Sequence, residues 1–294
     1  MHLSSHRAGF VNIMGKPNAG KSTLMNTLLG YSLSIATYKP QTTRHTILGI
    51  DNGKDHQIIY VDVPGYMKPH YELQKIMLRQ VKRALIESDI IVWLVNSREK
   101  EIDDFLLDNR KMQTCPFLLV VNKVDLLDQA ERAELSSFWQ KNLNPTSTIF
   151  ISALYQTNLD QLKAAILKYL PLHPAYYDKR EITTRTERFL VAQIIRKAII
   201  LSYHQEIPYS TEVIVDSFKE KEDILCIEAT IYVERMSQKS IVIGKKGAAL
   251  KKIGIQARKE IESIFKKKVF LSQYVKVSKD WRNQTKQLTA WGYQ

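Results

Sequence analysis

The sequence predicts an α/β domain with a mostly parallel sheet and helices on both faces, followed by an α+β domain. Within about the first 170 residues, short apolar runs alternate with segments of helical spacing, the pattern typical of parallel sheets. After the proline-bearing stretch Leu170–Tyr177, the order changes to helix, strand, strand, helix, helix, strand. The length of 294 residues also fits two domains of about 150 residues each. We place the first domain at residues 6–170, a linker at 171–182, and the second domain with a C-terminal tail at 183–294.

The first domain begins with the apolar run Phe10–Met14, which ends in a glycine-containing loop. The turn Asn52-Gly53 predicts an antiparallel hairpin, and the continuous apolar run Ile90–Val95 is typical of a strand buried on both faces. The later strands are predicted at Thr46–Asp51, Gln57–Asp62, Ile90–Val95, Phe117–Val121 and Thr148–Ile151. Helices are predicted between them at Lys21–Leu29, Glu72–Glu87, Glu101–Gln113, Gln129–Leu143 and Asn158–Leu170.

The second domain has helical spacing in Phe189–Tyr203 and strand alternation in Ile224–Arg235, where Ile227, Ala229 and Ile231 share one face. The remaining elements are a strand at Glu212–Phe218, a helix through about Phe265 that follows the loop at Gly244–Gly247, and a closing strand at Val269–Lys279.

The positive charge is concentrated in the second domain. The whole chain has 43 basic and 30 acidic residues, a net charge of +13. Residues 1–173 carry a net charge of +4 and residues 174–294 carry +9. Residues 239–286 alone have 14 basic and 3 acidic side chains, which predicts a polyanionic partner such as nucleic acid or an anionic membrane surface. The alternative is a solvated face that keeps the protein soluble.

Composition excludes several classes of protein. With 44% hydrophobic residues and only 11 glycines and 9 prolines, the chain is neither wholly disordered nor collagen-like. Cys115 and Cys226 lie far apart and form no metal-ligand pattern. The N-terminal residues lack the apolar core of a secretory signal, so we expect a reducing cytoplasm.

Residues Gly15–Ser22 fit the pattern G-x-x-x-x-G-K-[ST], after a strand and at the start of a helix. Such a loop wraps a phosphate chain with its backbone N–H groups, and the helix presents its positive N-terminus to the same anion. Lys21 is expected to reach the β- and γ-phosphates and Ser22 to bind Mg²⁺.

Two further loops follow predicted strands. Asp62-Val63-Pro64-Gly65 offers a carboxylate for Mg²⁺ opposite Ser22 and an N–H group, on Gly65, for a γ-phosphate. Asn122-Lys123-Val124-Asp125 offers a carboxylate that can accept hydrogen bonds from N1–H and the 2-amino group of guanine, two donors that adenine lacks. Asn122 and the stem of Lys123 would brace the loop and the base.

A fourth loop, Ser152-Ala153-Leu154, has small residues that suit backbone contact with the base oxygen. Together these loops predict a guanine-nucleotide site. Its predicted contacts are Asn18, Ala19, Gly20, Lys21, Ser22, Thr23, Asp62, Gly65, Asn122, Lys123, Asp125, Ser152 and Ala153.

With these motifs in this order, the chain resembles the translation-factor-related GTPases, and within them the Era branch. The segment Pro40–Arg44 resembles the first switch loop of that branch. The resemblance implies that Thr43 completes the Mg²⁺ shell when GTP is bound, with Thr42 as the alternative. It also implies that hydrolysis depends on Lys21, Thr43 and Gly65.

Tyr66 occupies the position after Gly65 where many small GTPases have a glutamine that orients water. We therefore assign no general base and expect slow intrinsic turnover. Asn18 is similar to the asparagine that helps to hold potassium in some related GTPases, so K⁺ is a candidate second cation.

The loop Gly244-Lys245-Lys246-Gly247 follows Ile243 and lies inside the basic stretch. A Gly-x-x-Gly between two helices resembles the loop of a KH domain, which clamps about four nucleotides of single strand. The element order matches the prokaryotic KH arrangement. We expect RNA to contact Ile243, Gly244, Lys245, Lys246 and Gly247.

A P-loop GTPase domain followed by a KH domain is the Era architecture, and the resemblance covers nearly the whole chain, including the run Arg235–Gly247. It implies binding near the 3′ end of small-subunit ribosomal RNA during assembly of the 30S subunit, mostly as a monomer, with some peripheral contact with the inner membrane. The alternatives are an RNA-binding module with little hydrolysis and a membrane-associated GTPase.

Overall fold

The structure is a computed structural model that describes residues 6–102, 104–106 and 115–293. These residues form two compact units, the first within Met1–Lys68 and Met77–Thr184 and the second within Pro69–Ile76 and Arg185–Gln294. Within the described residues, no helix is both long and apolar enough to cross a membrane.

The first unit contains a six-stranded sheet with the order β2-β3-β1-β4-β5-β6. Only β2 is antiparallel to its neighbour, and the other pairs are parallel, which confirms the predicted sheet and its hairpin. The strands are β1 (Arg7–Met14), β2 (Ile47–Asn52), β3 (His56–Asp62), β4 (Ile90–Asn96), β5 (Phe117–Asn122) and β6 (Ser147–Phe150).

Helices cover both faces of this sheet. They are α1 (Lys21–Leu29), α2 (Glu72–Ile86), α3 (Gln129–Leu143) and α4 (Leu159–Tyr169). Alternate residues of β3, β4 and β5 pack on one face with Val81 of α2 and Trp139 of α3. The intervening residues point to the other face, where α1 contacts β1, β2 and β3. The helix predicted at Glu101–Gln113 is helical at residues 104–106, and its remainder lies largely outside the described residues.

The segment predicted as a linker, residues 171–182, lies against the hairpin of β2 and β3. The Gln57 amide oxygen accepts a hydrogen bond from the backbone N–H of Tyr176 at 2.7 Å. The backbone N–H of Ile50 donates to the carbonyl of Ile182 at 2.9 Å. This segment is therefore held to the first unit by hydrogen bonds of its backbone. No pattern in its sequence predicts these bonds.

The second unit has the predicted order of elements. Its helices are α5 (Glu187–Ser202), the short α6 (Ile207–Ser210), α7 (Met236–Ile243), α8 (Ala248–Phe265) and α9 (Thr285–Ala290). Its sheet has the order β7-β8-β9, with β7 (Glu212–Glu220) antiparallel to β8 (Ile224–Val233) and β9 (Lys268–Val277) parallel to it. The core lies between one face of the sheet and helices α5 and α8, where Ile195, Ile227 and Ala257 are fully buried.

The predicted C-terminal tail is a packed part of this unit. The Trp281 side chain is fully buried, and its indole Nε1 donates to the carbonyl of Ser210 at 2.9 Å. The Tyr293 hydroxyl donates to the buried carboxylate of Glu212. Large aromatic side chains bury 150–250 Å² each, so this segment contributes to the core instead of extending into solvent.

Candidate nucleotide site and nucleic-acid interface

The loop between β1 and α1 can be built only with glycine at two positions. Gly15 has φ +143° and Gly20 has φ +100°, a region that side chains disfavour. A Cβ atom on Gly15 would lie 2.2 Å from the carbonyl oxygen of Leu94, and one on Gly20 would lie 2.3 Å from Nδ2 of Asn122. The sequence pattern thus reflects both backbone conformation and close packing against two neighbouring strands.

Lys21 is buried at the base of this loop, with 6% of its surface exposed. Its ammonium group donates to the carbonyl oxygens of Gly15 at 3.0 Å and Lys16 at 2.9 Å. Burial lowers the pKa of Lys21 to about 8, against the opposing attraction of Asp62 and Glu99. The hydrogen bonds of this buried ammonium go to neutral carbonyls, so a bound phosphate would add a direct negative partner.

Three oxygen-bearing side chains meet beside the loop. The Ser22 hydroxyl donates to Oδ2 of Asp62 at 2.7 Å and lies 2.9 Å from the Thr43 hydroxyl. The Thr43 hydroxyl also donates to the same carboxylate oxygen at 3.3 Å. The structure therefore brings Thr43 into the predicted metal centre, while Thr42 lines the same cavity.

Asp62 is fully buried, and burial raises the pKa of its carboxyl, while Lys21 and the hydroxyl of Ser22 act to lower it. Its second oxygen, Oδ1, has no hydrogen-bond partner among the described residues. A buried carboxylate oxygen without a donor is costly, and a cation removes that cost. Hydroxyl and carboxylate oxygens are also the ligands that Mg²⁺ prefers, so these residues fit that ion.

Asn122 connects the three loops of the site. Its amide nitrogen donates to the carbonyl of Ala19 at 2.9 Å. Its amide oxygen accepts from the backbone N–H groups of Lys123 at 2.8 Å and Ala153 at 3.0 Å. One side chain thus fixes the base loop and the fourth loop relative to the phosphate loop.

Asp125 and Ser152 come together at the predicted base position. The Ser152 hydroxyl donates to Oδ1 of Asp125 at 2.6 Å, which fixes the carboxylate and leaves its other oxygen for a ligand. Lys123 adopts the left-handed conformation with φ +63°, at the turn that exposes Asp125. Strain of this kind is found at sites where surrounding contacts determine the conformation.

The predicted nucleotide residues surround one cavity of about 660 Å³, within the range of small-molecule sites. Most of them line it directly: Asn18, Gly20, Lys21, Ser22, Thr23, Thr43, Gly65, Asn122, Lys123, Asp125, Ser152 and Ala153. Asp62 lies behind Ser22, and Ala19 contributes its carbonyl to Asn122.

Tyr66 does not take the position of a water-orienting side chain. Its ring stacks on Phe105 with 4.0 Å between centroids and packs against the core beneath the sheet. Gly65 lies against the phosphate loop, where an added Cβ would be 3.0 Å from Pro17. Beside the phosphate loop, the groups available to a phosphate are therefore backbone N–H groups and the ammonium group of Lys21.

The Gly-x-x-Gly loop connects α7 to α8 in the second unit. Gly244 has φ +72° and Gly247 has φ +77°, and Lys245 and Lys246 between them are exposed. Ile243 is half-buried and packs partly against the hydrophobic core, which anchors the start of the loop.

A groove beside this loop was not predicted from the sequence. Its volume is about 430 Å³, and one face of α8 lines it with Lys251, Gly254, Ile255 and Arg258. The opposite wall is β9, with Phe270 and Gln273. The spacing i, i+3, i+4, i+7 in α8 marks one helix face, but only the structure shows which strand faces it.

Two family models match the chain. Residues 10–123 match the family described as 50S ribosome-binding GTPase, and residues 206–282 match the KH domain. GTPase Era of Staphylococcus haemolyticus is 41% identical over 99% of this chain and 98% of its own length. GTPase Era of Caldanaerobacter subterraneus subsp. tengcongensis is 42% identical over 98% of each chain.

Solved structures agree along the full length. Two have a TM-score of 0.93 with 35% identity, over 98% of this chain and 99% of theirs. One is Era in complex with MgGDPNP and nucleotides 1506–1542 of 16S ribosomal RNA, and the other is a tyrosine variant of Aquifex aeolicus Era bound to GDP and aluminium fluoride. The predicted architecture is confirmed: this chain belongs to the Era family of GTPases, and its reaction is the hydrolysis of GTP to GDP and phosphate.

Proposed function

We propose that this GTPase is a nucleotide-controlled switch that binds single-stranded RNA near the 3′ end of small-subunit ribosomal RNA and assists assembly of the 30S subunit. The observation that carries the proposal is the full-length similarity to an Era structure that holds nucleotides 1506–1542 of 16S ribosomal RNA. The exposed lysines of the Gly-x-x-Gly loop and the adjacent groove support the same ligand.

On the nucleotide side, we propose Ser22, Thr43 and Asp62 as the residues that hold Mg²⁺. When bound there, Mg²⁺ would neutralise part of the negative charge of the phosphates. Lys21 stabilises the negative charge of the phosphates from a position that its two backbone acceptors define. Gly65 presents its N–H near the same group. Because positioning and electrostatics supply most of the catalysis of phosphoryl transfer, these residues suffice for slow turnover.

We also propose that Asn18 helps to hold a potassium ion at the phosphates. Asn18 is exposed, lines the nucleotide cavity and adopts the left-handed conformation with φ +65°. A monovalent cation there would compensate for the water-orienting glutamine that this chain lacks. Hydrolysis is therefore expected to be faster in KCl than in NaCl at equal ionic strength.

The measurement is GTP turnover in both salts for the wild type and Asn18→Ala. The variant should lose the difference between KCl and NaCl. Equal wild-type rates in the two salts would exclude the potassium site but leave the GTPase assignment in place.

The RNA proposal predicts that Lys245→Asp combined with Lys246→Asp weakens RNA binding by at least about tenfold and lowers its salt dependence, because two cations near phosphate are reversed. The probe is an RNA with the sequence of the 3′ end of 16S ribosomal RNA. The matched control is Lys54→Asp with Lys141→Asp, two exposed lysines of the first unit with the same change of charge. GTP affinity should stay unchanged in both variants, and unaltered RNA affinity in the first would contradict the clamp.

For location, we propose the cytoplasm, with peripheral contact at the inner membrane through the basic surface of residues 239–286, and a mostly monomeric state. The net charge of this stretch supports attraction to anionic lipid. Co-sedimentation of the same lysine variants with anionic vesicles distinguishes this contact from RNA binding. Vesicle binding without RNA binding would favour the alternative of a membrane-associated GTPase.

A further inference from the structure

The strand β9 exposes two aromatic rings. It is an edge strand, paired only with β8 in the three-stranded sheet of the second unit. Phe270 is 60% exposed and Tyr274 is 55% exposed, on a strand whose Val269 and Val275 are buried. Single exposed apolar side chains are ordinary in soluble proteins, but two rings on the same face of one strand form a patch that indicates a binding surface.

Lysines surround these rings. The alternation of the strand places Lys268, Phe270, Ser272, Tyr274 and Lys276 on the face away from the core. Residues 266–279 contain five lysines and no acidic residue. The neighbouring strands add two acidic residues to this face: Glu228 of β8, opposite Ser272, and Asp216 of β7, which accepts from the hydroxyl of Thr230 beside Tyr274. Lys268 and Lys276 lie at the two ends of the face.

The exposed face has one open end and one closed end. Phe270 also lines the groove beside the Gly-x-x-Gly loop, so the face continues directly from that groove. At the other end Tyr232, which is paired with Lys276, is covered by Trp291 at 4.7 Å between ring centroids. A ligand that leaves the groove can therefore run along β9 as far as Tyr274.

The spacing of the rings selects the kind of ligand. Phe270 and Tyr274 are four residues apart, which corresponds to about 13 Å along a strand. Neighbouring bases stacked in a duplex are only about 3.4 Å apart. The two rings therefore cannot insert into one continuous stack, but each can receive a base of an extended single strand, and the lysines can meet its phosphates.

We propose that this face of β9, defined by Lys268, Phe270, Tyr274 and Lys276, is a second contact surface for single-stranded RNA, continuous with the Gly-x-x-Gly clamp. The inference rests on the RNA binding proposed above and extends it. The clamp holds about four nucleotides, and the β9 face stacks bases of the nucleotides that continue beyond them.

The experiment compares the full-length protein with RNAs of two lengths taken from the 3′ end of 16S ribosomal RNA. One has about four nucleotides and fills only the clamp, and the other has about eight. Phe270→Leu and Tyr274→Leu keep an apolar side chain but remove the ring. Tyr274→Leu should weaken binding of the longer RNA by about tenfold and leave the shorter RNA unaffected. Phe270→Leu also changes a wall of the groove, so it should weaken binding of the longer RNA by about tenfold and binding of the shorter RNA by less.

Two controls separate stacking from structure. Tyr274→Phe keeps the ring and should bind the longer RNA as the wild type does. Tyr31→Leu removes a ring of the first unit that is 54% exposed, nearly the same as Tyr274, and should have no effect on either RNA. Unchanged melting temperatures in the leucine variants would show that the fold is intact.

If both leucine variants bind the longer RNA as tightly as the wild type does, the inference is wrong, while the proposed Gly-x-x-Gly clamp is unaffected. Loss of binding to anionic vesicles, with RNA affinity unchanged, would assign the face to lipid and also overturn it. If the wild type binds neither RNA, the proposed RNA function fails, and this surface fails with it.

Discussion

Lys21→Met should reduce GTP hydrolysis by about 10²- to 10³-fold, the usual loss when one positioned charge donor is removed from an active site. The ammonium group of Lys21 is buried and directed by the carbonyls of Gly15 and Lys16. Methionine fills a similar volume but offers no donor to the phosphates. The measurement is single-turnover hydrolysis at saturating GTP, which separates the chemical step from weaker binding.

The same substitution should alter the pH dependence of stability in the nucleotide-free protein. Burial lowers the pKa of Lys21 in the folded state to about 8, from 10.5 in the unfolded chain. Between these values the unfolded state holds a proton that the folded state has released, so the free energy of unfolding rises with pH. Below pH 8 the folded protein carries the full cost of the buried charge.

Lys21→Met should therefore lack this rise, and its melting temperature at pH 7 should match or exceed that of the wild type. Lys16→Met is the matched control, because Lys16 is in the same loop but is half-buried and paired with Glu99 at 2.9 Å. That control should keep the hydrolysis rate, and its free energy of unfolding should still rise with pH because Lys21 stays buried. A Lys21→Met protein that hydrolyses GTP at the wild-type rate would remove Lys21 from the mechanism.

The nucleotide site was predictable because its chemistry lies in short loops. Gly20 and Lys21 follow one strand, Asp62 is the last residue of a second and Asp125 follows a third. Parallel strands bring their carboxyl ends to one edge of the sheet. The spacing within each motif and this one rule of sheet topology were enough to predict which residues meet. The β2–β3 hairpin was also predictable, since Asn52-Gly53 is a strong turn signal.

Contacts between distant segments were not predictable. The side chain of Asn122 bonds Ala19, which is 103 residues away, and no local pattern encodes that partner. Likewise, the sequence shows that Tyr66 cannot replace a water-orienting glutamine. Its stacking on Phe105 was not predictable, because that contact depends on how a later segment packs.

The second unit shows the same limit. The Gly-x-x-Gly loop is visible in the sequence, whereas the groove beside it requires α8 to lie next to β9. The burial of Trp281 similarly depends on the carbonyl of Ser210, far earlier in the chain. The segment after β9 was predicted as a tail, because a short helix with few apolar residues gives only a weak periodic signal.

Asp125→Asn should abolish the preference for guanine. Guanine presents two donors, N1–H and the 2-amino group, and a carboxylate accepts both. The Ser152 hydroxyl donates to Oδ1 of Asp125, so an asparagine would keep its oxygen toward Ser152 and turn its NH₂ group toward the base. Two donors would then face each other. We expect the affinity for GTP to fall by at least about 10²-fold. The wild type is expected to prefer GTP over ATP by a factor on the order of 10⁴.

Xanthosine triphosphate gives this prediction its sharpest test, because a carbonyl at C2 replaces the 2-amino group and can accept from the new amide. Competition binding with GTP, ATP and xanthosine triphosphate should show that the variant gains affinity for xanthosine triphosphate and loses affinity for GTP.

Ser152→Ala is the control. The carboxylate of Asp125 then loses the hydrogen bond that fixes it but remains an acceptor, so guanine should stay preferred, though bound more weakly. An Asp125→Asn protein with the wild-type ratio of GTP to ATP affinity would show that base selection comes from another group, since no donor–acceptor arrangement at this position could then explain it.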